Sequence, residues 1–495
     1  MESFLIGFGQ LLMHPMSFVL LIAGTMLGLT VGALPGLNSA ITMSVLIPVT
    51  FGMNPVIALA MLAGIYVGAT TGGSVTAILL KVPGTGGAVV TAFDGYEMNK
   101  KGKGGLALGT ATVSSLFGGI ISAIVLCFFA PFLAKQALLF GPPEYFMLAI
   151  MGMSSVIGMD TGKMAKSLLS MAIGLMVSII GISPQGGVSR FTFGSFVLLE
   201  GVSMVPMLIG LFGISSILEM LETMGGIRGV KESIQKIKMK LPDRKMIKSF
   251  LPIWMQSSII GNIVGIIPGA GMTVAVFMAY DQAKRTYPHL PFGTGIPEGV
   301  AAPEAANNSV TGSSMVPLLS LGIPGNPASA VFLGALMIHG LRTGPSLFRD
   351  SPGPAYSLVI AFLIASIMLL PLMIVFCNYM ATYVLRLKKE ILSSLVLILC
   401  VTGAFASGNS AGGVTIAVVF GILGYLFIKF KIPMAPLILA DVLGSIMESN
   451  WLQSLVLAEG DYSLFVKRPI SCFLLFLSIV FLVMPLWKKL KARKI

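Results

Sequence analysis

Charge is what this sequence has least of. Only 10% of its 495 residues are Asp, Glu, Lys or Arg, while 55% are hydrophobic and the mean hydropathy is +0.93. That balance excludes the soluble globular classes and leaves a polytopic membrane protein. Histidine is scarce too. His14, His289 and His339 stand far apart, which gives neither a zinc-ligand pattern nor a catalytic one. The four cysteines (Cys127, Cys377, Cys400, Cys472) are scattered singly in apolar runs without metal-ligand spacing, so they are expected to act as small buried hydrophobes. No Lys or Arg precedes Lys81, so the basic region of a cleaved signal sequence is missing and Met1 is expected to begin the mature chain. The net charge of +13 would suit nucleic acid, but the basic residues sit in short runs between apolar segments. This is the pattern of cytoplasmic loops, and the expected environment is a lipid bilayer.

What the chain has in abundance is glycine, 58 residues, and with it a repeated pattern of breaks. The stretch 302–341 reads APEAANNSVTGSSMVPLLSLGIPGNPASAVFLGALMIHGL, with two apolar runs either side of Pro324-Gly325 and a polar approach through Asn307, Asn308, Ser309, Thr311, Ser313 and Ser314. A related stretch lies at 64–96. An offset of 241 positions matches Thr70 with Thr311, Leu80 with Leu321, Pro83 with Pro324 and Gly84 with Gly325. A second pair of breaks falls at Gly32-Ala-Leu-Pro-Gly36 and Gly265-Ile-Ile-Pro-Gly269. Paired interruptions in corresponding places of two halves point to a transporter binding site, because non-helical backbone survives in a membrane only where protein buries it or a cavity receives it.

The expected fold is therefore all-α and polytopic. It comprises a first membrane repeat (1–225), a basic cytoplasmic linker (226–250) and a second membrane repeat (251–495). Residues 1–15 would form a short interfacial helix. Segments 16–48 and 250–280 are either re-entrant hairpins with a Pro-Gly tip or tilted discontinuous spans, since each arm is short of the roughly 20 residues a full span needs. Further spans are expected near 58–80, 105–132, 144–159, 167–182, 197–219, 298–321, 355–384, 391–406, 414–428, 433–447 and 470–487, in all about 11 to 12 plus the hairpins. Segment 433–447 is the weakest, being short and containing Pro436 and Asp441. The basic 228–248 loop, Lys100, Lys101, Lys103, Lys163, Lys166, Arg386, Lys388, Lys389, Lys429, Lys431 and the tail 488–494 fall inside, and the N-terminal segment, which lacks Lys and Arg, outside. Arg342 and Arg349 fit this less well. The two halves are thereby inverted relative to one another.

A break in a membrane helix exposes N–H groups at one half-helix, which suit an anion, and carbonyls at the other, which with Ser, Thr and Asn oxygens suit Na⁺. Carboxylate binding is accordingly expected at Pro83, Gly84, Thr85, Asn308, Pro324, Gly325 and Asn326. The cation is expected at Asn38, Ser39, Thr70, Thr71, Ser74, Asn307 and Thr311. The bland reading of the same residues is packing kinks and interhelical hydrogen bonds. Glu304 is read as lying at a helix start after Pro303, Asp94 as interfacial, and Asp441 and Glu448 as intramembrane carboxylates. No transition metal and no organic cofactor are expected.

These motifs resemble the large permease subunit of the tripartite tricarboxylate transporter family. The resemblance is carried by EGVAAPEAANNSVTGSSMVPLLSLGIPGNPASAVFLGALMIHGL (298–341), KVPGTGGAVVTAFDGYEMNKKGKGGLALG (81–109), GALPGLNSA (32–40) and LADVLGSIMESNWLQSLVLAEGDYSLFVKRPIS (439–471). Where the family pattern has two adjacent acidic residues before the C-terminal Asn, this chain keeps Glu448 alone before Ser449-Asn450. The resemblance implies uptake of a di- or tricarboxylate, or a related organic anion, across a bacterial inner membrane by alternating access, usually with Na⁺. It also implies a periplasmic solute-binding protein and a small membrane subunit as partners. A proton-coupled carrier and an ion or solute channel are the alternatives. A channel would be expected to show a ring of pore charges, and an intramembrane hydrolase a catalytic constellation; neither is evident in the sequence.

Overall fold

The computed structural model describes residues 2–34, 37–159, 164–183, 186–224, 238–269, 271–385 and 389–492, and they are predominantly helical. The expected tip residues Pro35 and Gly36, together with Lys163, residues 228–237 of the basic loop, Arg386, Lys388 and the tail residues Arg493 and Lys494, lie outside them. Helix α1 (Glu2–Met13) meets α2 (Met16–Gly32) at 92°, with Pro15 in the corner. After the first break α3 (Ser39–Leu46) starts on Asn38, whose side chain accepts from the Ile41 N–H at 2.9 Å. Asn54 caps α4 (Pro55–Leu80) in the same manner, with proline at the first helical position. There follow α5 (Thr91–Lys100), the long α6 (Gly104–Ala137), α7 (Pro142–Met159), α8 (Met164–Ser178) and a small hairpin of β1 (Gly181–Ile182) and β2 (Ser189–Arg190). Helix α9 (Met204–Leu208) runs through a π-helical turn into α10 (Ser215–Met224).

The second half opens with α11 (Arg244–Ile266), capped by Asp243, so its first turns reach back into the expected linker. It continues with α12 (Gly271–Thr286), α13 (Pro297–Ser313), α14 (Met315–Leu321), α15 (Pro327–Ile338) and the short α16 (Leu347–Asp350). Helix α17 (Pro352–Val375) passes through a π-helical turn into α18 (Ala381–Val384), and α19 (Lys389–Ala406), α20 (Ala411–Lys429), α21 (Ala435–Leu457), α22 (Leu464–Lys467) and α23 (Pro469–Ala492) complete the chain.

Among the described residues six helices are long and apolar enough to span a membrane, or seven if the bent α1–α2 pair is one span, and five shorter apolar helices accompany them. The expected 11 to 12 spans are thus not all full-length apolar helices. Breaks cut some into short pieces, α13 has only 17 residues, and α21 is long but diluted by polar side chains. Segment 433–447 needs the opposite correction, since α21 runs for 23 residues. Pro436 falls in its first turn, where a missing N–H costs nothing.

Packing repeats between the halves. Helix α2 lies along α4 and α11 along α13, while α6 packs on α13 and α17 on α4. Gly28 meets the Ile65 carbonyl as Gly261 meets that of Ala306, so backbones touch where a Cβ would collide. The helices before the two Pro-Gly breaks end alike. Lys81 (φ 58°) and Gly322 (φ 76°) are left-handed, and the next N–H reaches back to Thr76 O (3.4 Å) and Pro317 O (3.2 Å) respectively. A separate apolar cluster joins α7, α8, α21 and α23, pinned where buried Glu144 accepts from Arg468 (2.6 Å) and Ser471 (2.9 Å). Cysteine departs from expectation at two places: Cys377 and Cys400 are buried, but Cys127 is only partly so and Cys472 is exposed.

Candidate functional site

The chain's polar side chains converge where α4 crosses α13. Thr71 donates to Asn308 Oδ1 at 2.9 Å, and Asn307 Nδ2 reaches the Thr70 carbonyl at 3.4 Å. Thr70, Thr71, Ser74, Asn307 and Asn308 are completely buried, and Thr311 very nearly so. Thr70, Ser74 and Thr311 turn their hydroxyl protons to carbonyls of their own helices, Tyr66 O, Thr71 O and Asn308 O. That satisfies the donor of each hydroxyl and leaves oxygen lone pairs, the arrangement by which a buried threonine or serine can still accept or ligate.

The two Pro-Gly breaks flank this layer on opposite sides. On one side Tyr66 OH bonds Ser314 (3.0 Å) and receives Asn326 Nδ2 (2.8 Å), while Asn326 Oδ1 caps α15 in a reciprocal capping box with Ser329. On the other, Gly87 lies against Asn307 Oδ1 and Gly73 against Thr85. Tyr66 and Gly73 are seven residues apart on α4, so the breaks are separated by about 10 Å along the helix axis. Each glycine of the breaks is held against its own half. A Cβ on Gly84 would run into the Gly32 carbonyl, one on Gly325 would lie 2.8 Å from Gly265 O, and Gly269 N donates to Gly325 O at 2.9 Å. Asn38 and Ser39 take no part in the layer: Asn38 is spent as the α3 cap, and α3 packs on α4 and α15.

Of the carboxylates singled out in the sequence, Glu304 stands elsewhere than expected. Glu304 is not at a helix start, because α13 begins at Pro297 and carries Pro303 inside it. Its side chain is wholly buried and accepts from Thr91 (2.5 Å), Ser115 (3.0 Å) and Asn307. Asp94 is buried within the protein. It gathers the N–H groups of Gly293, Gly295 (2.8 Å) and Ile296 (3.0 Å) and the Tyr280 hydroxyl (2.8 Å), fixing the loop that launches α13. Asp441 faces a cavity of about 760 Å³ between β1–β2, α15 and α21, on whose wall Glu448 makes a bidentate pair with Arg190 at 2.8 and 3.0 Å. Among the described residues no group of three or more His, Cys, Asp or Glu is placed to hold a metal ion.

The sequence reading missed Tyr66 and Arg190. Tyr66 was within reach, because the offset of 241 that aligns the breaks carries it onto Asn307. Arg190 was not, for its partner lies 258 residues away and no local pattern marks the pair.

The family model for the tripartite tricarboxylate transporter TctA family matches residues 18–439. The chain belongs to that family. It is therefore a multi-pass membrane subunit of the tripartite tricarboxylate transporter type, from a family of transporters that work beside a small membrane subunit and a periplasmic binding protein. Two relatives from Agrobacterium vitis bear on it. An uncharacterized 52.8 kDa protein in the TAR-I ttuC' 3' region is 34% identical over 481 residues, 97% of this chain and 95% of that one. An uncharacterized protein in the TAR-II ttuC' 3' region is 31% identical over 235 residues, 47% of this chain and 97% of the relative. No solved structure matches this TctA-family chain.

Proposed function

We propose that this TctA-family permease imports a di- or tricarboxylate, or a related organic anion, together with Na⁺ by alternating access at the α4–α13 crossing. In this reading it sits in a bacterial inner membrane, receives its substrate from a periplasmic solute-binding protein and works with a small membrane subunit. The observation that carries the proposal is the buried polar layer lying between two helix breaks. A fully buried array of Asn, Thr and Ser is costly in hydrocarbon unless it serves a ligand or glues helices. Two breaks beside it argue for a ligand.

The residues present fit a cation, since Asn307 Oδ1 and Thr85 Oγ1 are buried oxygens with no hydrogen-bond partner. Asn307, Thr70, Thr71, Ser74 and Thr311 would hold Na⁺, which supplies positive charge beside the incoming anion. Asn308, Gly325 and Asn326 would orient the carboxylate, helped by the positive end of α15, which begins at the second break. The repeated packing of α2 on α4 and α11 on α13 supports two structurally related halves, inverted as the loop charges imply.

The test is uptake into proteoliposomes containing permease, small subunit and binding protein, with a panel of di- and tricarboxylates and an imposed Na⁺ gradient. Accumulation above the outside concentration that collapses with the gradient is the expected result. Flux that only equilibrates would mark a channel. Accumulation driven by a pH gradient alone would mark a proton-coupled carrier.

A further inference from the structure

The repeat that unites the two breaks also shows where they differ. Under the offset of 241, Asn326 corresponds to Thr85, Tyr66 to Asn307 and Ser314 to Gly73. At the second break the three side chains close on themselves, Asn326 Nδ2 and Ser314 both bonding Tyr66 OH. At the first break the corresponding atoms find nothing. Thr85 Oγ1 and Asn307 Oδ1 are both buried and unpartnered, and Gly73 has no side chain to supply the third contact. A buried acceptor left without a donor is costly, and two at one break point to a ligand rather than to packing.

The charge balance is unequal as well. Glu304 lies one turn before Asn307 and Asn308 on α13, and its repeat counterpart is Ala63. Its carboxyl receives only neutral donors, Thr91, Ser115 and Asn307, with no ion pair to any Lys, Arg or His among the described residues. Thr91 is also the first residue of α5, so the positive end of that helix lies beside the carboxyl. Asn307 thus joins a carboxylate lacking a counter-charge, on its amide side, to an orphan acceptor on its carbonyl side. The long α4 ends at this same break, adding its carbonyl end.

Resting on the transport reading above, we infer that the two breaks divide the labour: the first is the coupling-cation site, with Thr85 Oγ1 and Asn307 Oδ1 as ligands and Glu304 as the compensating charge, and the second serves the anion. Thr85 then belongs with the cation and not with the substrate. One carboxylate among neutral oxygens balances a single positive charge, which selects a monovalent ion; Ca²⁺ sites ordinarily draw on several carboxylates.

The test is direct ²²Na⁺ binding to the purified permease in nanodiscs without substrate, alongside half-saturating Na⁺ for uptake in the three-component system. Thr85→Val and Glu304→Gln should each weaken Na⁺ binding at least tenfold, and Asn326→Ala should leave it within twofold of wild type. Wild-type binding with Thr85→Val and Glu304→Gln both unaffected would overturn the division while leaving Na⁺ transport standing. Equal loss in Asn326→Ala and Thr85→Val would overturn it too. Absence of Na⁺ binding by the wild type would remove both the division and the Na⁺ reading. Should Glu304→Gln fail to fold, the near-isosteric Thr85→Val decides alone.

Discussion

Asn308 and Asn307 are neighbours in sequence with different partners, one bonded to Thr71 and the other facing the first break. Their alanine variants should therefore fail differently. Asn308→Ala is expected to raise the substrate concentration for half-maximal uptake at fixed Na⁺. Asn307→Ala and Thr311→Ala should raise the Na⁺ requirement with a smaller effect on the maximal rate. Unchanged dependence in all three folded variants would reduce the layer to interhelical glue. Asp94 offers a stability test of the same kind. Removing its carboxylate strands buried N–H groups of the 293–296 loop and the Tyr280 hydroxyl, so Asp94→Ala should cost roughly 3 kcal/mol or more. Thermal unfolding of the purified protein should show that loss, with Asp94→Asn milder. An unchanged midpoint would mean that the loop is held by other contacts. Asp94 and Glu304 also mark the limit of reading at this scale. Their burial is made by Gly293 and Tyr280 in the one case and by Thr91 and Ser115 in the other, all remote in sequence, so local hydropathy could not reveal it.

At the scale of elements the breaks were the most legible feature, because Pro-Gly pairs interrupt apolar runs whatever surrounds them. Most helix positions follow from the same runs. The short α3 and α15 after each break did not, since their ends are set by Asn38 and Asn326 caps that a hydropathy window averages away. Helix α21 is underrated in the sequence because Asp441 depresses its apolarity and Pro436 reads as a breaker, although the cavity receives the one and the first helical turn the other. The breaks themselves are tightly seated. Gly84→Val and Gly325→Val should each reduce uptake to background in protein that still inserts, because the added side chain meets the Gly32 and Gly265 carbonyls. Normal transport by both variants would show the breaks to be simple kinks.

For the whole molecule, the distribution of Lys and Arg predicts an N-terminus outside and the loop before α11 inside. Ser3→Cys should react with a membrane-impermeant thiol reagent in intact cells, and Lys240→Cys, exposed just ahead of α11, only after permeabilisation. The reverse pattern would overturn the orientation, and reaction of both sites from the same side would undo the inverted arrangement. Alternating access at the α4–α13 crossing is the central claim, and a cysteine placed within the layer tests it most directly. Ser74→Cys is nearly isosteric and fully buried beside Thr71. In a background lacking Cys127, Cys377, Cys400 and Cys472, it should be labelled from one side of right-side-out and inside-out vesicles in the absence of ligand. Na⁺ plus substrate should protect it or shift its reactivity to the other side. A thiol at this position that stays unreactive from both sides under every condition would contradict a transport site at the crossing.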